Sequence, residues 1–79
     1  MARKGQTGST AGRKAEWITS PSTGQRLKVM FGQRWLCVQP GKGVHGGAHI
    51  TAWVTQDDAT YHRDRVGGDA YVEEAQASS

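Results

Sequence analysis

The longest unbroken apolar run in this chain is Trp35-Leu36-Cys37-Val38, inside "RWLCVQ", and no other run is as long. From Trp17 onward the chain reads as short runs of this kind separated by turn punctuation. They suit short strands, and the residues between them are the Gly, Pro and Ser of chain reversals. A strand apolar on both faces belongs in the middle of a sheet, which is the place expected for "RWLCVQ". "QRLKVMF" alternates instead, with Leu27, Val29 and Phe31 on one side and Arg26, Lys28 and Met30 on the other. "EWIT" leads into the turn signal "SPSTG", Gly32-Gln33 forms a corner, and "AHITAWVT" resumes strand character after the long turn "QPGKGVHGG".

Trp17, Trp35, Trp53 and Tyr71 recur every eighteen residues, each followed by an aliphatic residue. The segments between them differ, so the spacing reads as hairpin geometry in a small antiparallel sheet and not as a repeat. With six aromatics in the whole chain, these residues are expected to supply most of the core, although an exposed Trp would suit base stacking. The segment "TQDDATYHRDRVGG" fits either a helix or a hairpin turning at Gly67-Gly68. Thr55 with Asp58 three residues on, acids in the first turn and Arg63 and Arg65 in the last favour a short helix over 56–66. The expected fold is therefore β-rich, all-β or α+β. It is a small antiparallel sheet of four to five strands curled toward a barrel, with one short helix.

At 79 residues the chain makes one domain with a thin core. Residues 1–15 read as a flexible, disordered basic arm, 16–75 as a single small domain and 76–79 as a frayed tail. One cysteine, Cys37, rules out an internal disulfide, and no run approaches the ~18–20 apolar residues of a membrane span. No signal-peptide pattern opens the sequence, so a cytoplasmic location is expected.

Charge is lopsided. Residues 1–42 carry eight Lys and Arg against Glu16 alone, a net of +7, and residues 43–79 carry two Arg against six acids, a net of −4. Such a basic half suits a polyanion, and it also suits a solvated surface that keeps a small protein soluble.

Four chemistries can be weighed. "GKGVHG" spells G-x-G-x-x-G, but a dinucleotide turn needs a helix after it, and here a β-branched alternating stretch follows. Cys37, His45, His49 and His62 are metal-ligand types without the paired-Cys spacing of structural zinc, and a lone Cys in an apolar strand is ordinarily a small hydrophobe. Cys37 with a His and Asp57 or Asp58 can be written as a triad, yet nothing in the spacing brings them together. No metal, cofactor or catalytic group is expected. What remains is a basic surface: Arg3, Lys4, Arg13 and Lys14 on the arm, Arg26, Lys28 and Arg34 on the hairpin, and Lys42 and His45 on the glycine loop.

The expected function is a non-catalytic binding module for nucleic acid or a nucleoprotein complex. The alternative is a small inhibitor or regulator, of the kind phages and mobile elements use, that blocks a host protein. It would grip a basic partner through Asp57, Asp58, Asp64, Glu73 and Glu74. The oligomeric state is left open.

Overall fold

The computed structural model describes residues 14–77. β1 (Ala15–Thr19) and β2 (Arg26–Met30) form an antiparallel hairpin in which Ile18 faces Leu27 and Trp17 faces Lys28. The "SPSTG" turn closes it, with Ser20 N–H donating to Gln25 O at 2.9 Å. The chain then turns at Phe31–Arg34 into a second sheet. There β3 (Trp35–Gln39) lies between β4 (His49–Trp53) and β5 (Tyr71–Glu74), antiparallel to both. β6 (Gln76–Ala77) returns to pair with β1, so the residues expected as a frayed tail include a short strand.

β-rich character, antiparallel pairing and one helix are as expected, but the strands form two sheets of three, ordered β2-β1-β6 and β4-β3-β5, and these are not closed into a barrel. Two features divide them. The Phe31–Arg34 corner carries the chain from the first sheet to the second. Ala75 then interrupts the last extended segment, its N–H donating to Arg34 O at 2.8 Å, so that β5 serves one sheet and β6 the other.

The sheets pack through Ile18, Leu36, Val38 and Ile50, with Leu27, Val29, Ala48, Ala52, Tyr71 and Ala75 around them. Each fully buried aliphatic side chain contributes about 1.5–3 kcal/mol, so a few residues carry most of the stability of so small a domain. The core is thus aliphatic, which corrects the expectation that aromatics fill it. In β1 and β3 the residue after the Trp points inward, Ile18 and Leu36, while Trp17 is 44% exposed and Phe31 65%. Trp35 and Trp53 are directly paired across β3 and β4, on the opposite face from Leu36 and Ala52. Period-two alternation requires this: a strand cannot bury both a residue and its successor on one face.

α1 (Gln56–Val66) covers that second face, resolving the ambiguous segment in favour of the helix. Thr55 caps it, its Oγ1 accepting from Asp58 N–H at 3.1 Å. Gly67 ends it at φ 66°, donating to Arg63 O at 2.9 Å. Ala59 and Cys37 are fully buried between helix and sheet, and the His62 ring lies 4.9 Å from that of Trp53. Among the described residues no helix is long and apolar enough to cross a membrane.

Candidate nucleic-acid interface

The outer face of the first sheet gathers the basic hairpin residues. Ile18, Leu27 and Val29 turn inward, so Trp17, Arg26 and Lys28 turn outward. The Arg26 guanidinium lies over the Trp17 ring, 4.7 Å from its centroid, and Lys28 is the direct cross-strand partner of Trp17. The result is an indole half-open to solvent, stacked with one cation and flanked by another. A planar aromatic next to cations on a β-sheet surface is able to stack a base while the charges meet its phosphates.

Arg34, expected to join this row, does not. It crosses the corner into an ion pair with Glu16, Nη1 to Oε1 at 2.9 Å, while Glu16 Oε2 accepts from Gly32 N–H at 3.0 Å. The carboxylate of β1 thereby pins the turn that separates the sheets, and Arg34 serves the fold. Lys14 stands at the start of β1, where its carbonyl accepts from Phe31 N–H at 2.7 Å. Arg3, Lys4 and Arg13 lie outside the described residues.

Lys42 and His45 are exposed on the 40–48 loop. That loop is held by its own backbone: Gly43 N–H donates to Gly47 O at 2.8 Å, and Gly46 N–H to Gly43 O at 3.1 Å. A Cβ at Gly43 would sit 2.9 Å from Gly47 O, so only glycine fits the close approach. The "GKGVHG" letters therefore encode a folded-back connection. Lys42 lines a cleft of about 220 Å³ with Asp69 and the 67–70 turn, apart from Trp17, Arg26 and Lys28.

Three of the acidic residues lie on α1 and two on β5. Asp57 and Asp58 occupy the first turn of α1, Asp64 pairs with Arg63 at 2.9 Å, and Glu74 is exposed on β5. Glu73 is turned toward the core side. Its Oε2 accepts from the buried Ser20 Oγ and, at 3.0 Å, from Ser22 Oγ, which is also 2.6 Å from Tyr71 Oη. This polar knot ties the β1–β2 turn to β5, and the "SPSTG" turn signal gave no sign of it.

Cys37 is fully buried, and burial raises its thiol pKa, offset in part by the Arg63 charge, which favours the neutral thiol. His62 lies against Trp53, His49 is exposed at the start of β4 opposite Gln39, and His45 is exposed on the 40–48 loop. Among the described residues no three His, Cys, Asp or Glu side chains converge on a common point.

Gln33 is the residue that sequence reasoning passed over as a corner. Its Oε1 accepts from Met30 N–H at 2.9 Å, and its Nε2 donates to Ala52 O at 3.2 Å. One side-chain amide thus links the outer edges of β2 and β4. No family model, curated protein or solved structure matches this chain.

Proposed function

We propose that this protein is a non-catalytic binding module whose folded domain contacts single-stranded nucleic acid through Trp17, Arg26 and Lys28. The observation that carries the reading is the half-exposed Trp17 ring with Arg26 stacked on it and Lys28 beside it. Trp17 keeps nearly half of its surface open on the outer face of the first sheet, where its ring can stack a base. In this reading the two sheets curl toward a barrel around Ile18, Leu36, Val38 and Ile50, open between β2 and β4, and the outer β1–β2 face is the platform. Arg3, Lys4, Arg13 and Lys14 add phosphate contacts from the arm, and Lys42 and His45 lie on a separate loop that longer ligands would reach.

The protein-blocking reading has less support through its acidic residues, since Glu73 is occupied internally and Asp64 is paired with Arg63.

Fluorescence anisotropy titration of an end-labelled, pyrimidine-rich single strand at low salt tests the proposal. Trp17→Ala is expected to weaken binding by about 1–3 kcal/mol for a stacked base, about 5- to 140-fold. Lys28→Ala is expected to weaken all sequences alike and to lower the slope of log K against log salt by about 0.7. Unchanged affinity in both variants would overturn it.

A further inference from the structure

The first sheet ends at β2 and the second at β4, and these two edges border one groove of about 420 Å³. Its walls are Leu27, Val29, Ile50 and Ala52, half-buried or buried side chains from the rim of the core. The other side of the molecule is already joined, because β5 and β6 belong to one extended segment that pairs first with β3 and then with β1.

The strand directions can be followed round. Every ladder is antiparallel. Starting from the β5–β6 segment, β1 and β3 run against it, and β2 and β4 run with it. The two edges therefore point the same way. One strand laid between them, antiparallel to both, would complete the ring β6-β1-β2-strand-β4-β3-β5 with antiparallel pairing throughout.

The edges are also chemically prepared. Phe31 and Gln25 bond across the β1–β2 hairpin, so Leu27 and Val29 do likewise, and the backbone groups of Lys28 and Met30 point away from β1. By the same alternation Ala52 and Ile50 point away from β3. At one end of the groove the Gln33 amide satisfies Met30 N–H with its oxygen and Ala52 O with its nitrogen. The orientation of that amide is fixed, because a backbone N–H only donates and a carbonyl only accepts. A peptide unit in a strand does the same, C=O to one neighbour and N–H to the other. Gln33 thus occupies the position of one peptide group of an absent strand. Beyond it, Lys28 and Ile50 present further donors and acceptors to the groove.

We propose that the gap between β2 and β4 is a strand-acceptor slot. It takes one extended segment of a partner protein, with aliphatic side chains directed to the core and acidic ones outward, beside Lys28. Main-chain bonds give such additions affinity and alternate side chains give them specificity. Inward positions of the segment meet Leu27, Val29, Ile50 and Ala52, which calls for aliphatic residues. Outward positions lie next to Lys28 and near His49, with Arg26 farther along β2, which calls for carboxylates. The chain's own residues 1–13, "MARKGQTGSTAGR", are basic and nearly devoid of aliphatic side chains, so they have the wrong pattern for the slot.

Amide hydrogen exchange and chemical shifts of the full chain, with a blocked peptide of alternating glutamate and valine, test this. The Lys28 and Ile50 amides are expected to exchange quickly in the protein alone and at least tenfold more slowly with saturating peptide. A peptide of the same composition with proline at alternate positions is expected not to bind. Lys28→Glu is expected to reverse the preference toward a lysine–valine peptide, and a native-like spectrum of that variant excludes misfolding as the cause. Four results would each overturn the proposal. They are no protection at millimolar peptide, equal binding of the proline peptide, protection lost on dilution through dimer dissociation, and protection already present that disappears when residues 1–13 are deleted. A single-stranded oligonucleotide slowing the same two amides would overturn it as well.

Discussion

Gln33 offers the sharpest test of how the two sheets are held together. Replacing it by alanine removes the acceptor for Met30 N–H and the donor for Ala52 O. A neutral hydrogen bond contributes about 0.5–1.5 kcal/mol net, so two amount to about 1–3 kcal/mol. Gln33 is only half-buried, and water entering the groove replaces part of what is lost. The expected cost is therefore about 1–2 kcal/mol, which for a domain of this size lowers the melting temperature by roughly 4–16 °C. Gln33→Glu discriminates further. A carboxylate still accepts from Met30 N–H but turns a second acceptor toward Ala52 O. The protonated acid restores the donor. The folded state thus favours the protonated form and raises the pKa of the introduced carboxyl above its ordinary ~4.3. Its stabilising contribution is then fully present below that unfolded value and lost as pH rises through the raised folded value. Thermal melts followed by circular dichroism at neutral pH and at about pH 4, each compared with the wild type, read the effect. The variant is expected to melt well below the wild type at neutral pH and to recover most of the gap in acid. A Gln33→Ala protein that melts with the wild type, or a Gln33→Glu deficit indifferent to acid, would refute the bridge.

Two further outcomes follow from the helix layer. Thr55→Ala should cost about 1 kcal/mol by removing the cap on Asp58 N–H, and Thr55→Ser should recover most of it, both by chemical denaturation. The Cys37 thiol, buried and held above the ordinary thiol range, should resist alkylation at mildly alkaline pH and react only at the rate of global opening. Fast labelling of the native protein would show that α1 does not cover β3.

Local patterns in the sequence were readable wherever one strand or turn decides the outcome. An apolar run without alternation placed β3 at the centre of its sheet, where Leu36, Cys37 and Val38 are all fully buried. Thr55, Asp58 and Gly67 announced the ends of α1 because caps act within a few residues. The polar side chains were not readable in this way. Glu73 meets Ser20 across 53 positions, Glu16 meets Gly32 across 16 and Gln33 meets Ala52 across 19. Their roles are set by which strands become neighbours, and composition carries no trace of that. The Trp spacing misled for a related reason. It marked the strands correctly, but only the register decided which side of each strand faces the core. Of the basic residues named from sequence, Arg26 and Lys28 share a face, Arg34 is taken up by Glu16, and Lys42 and His45 lie on another loop.

The segment around Ala75 also has a consequence for how the chain acquires its shape. Among the described strands β1 is made first and β6 last, with Ile18 opposite Ala77. The first sheet therefore waits for β6 before its third strand arrives, and this long-range closure is slow relative to the local β3–β4 hairpin. A chain still tethered just past Ala75 would display β1 paired with β2 on one side and open on the side that β6 later covers. The earliest-made of these strands is thus the last to be sealed, and the few residues after Ala75 control the transition from an adhesive nascent chain to a finished domain.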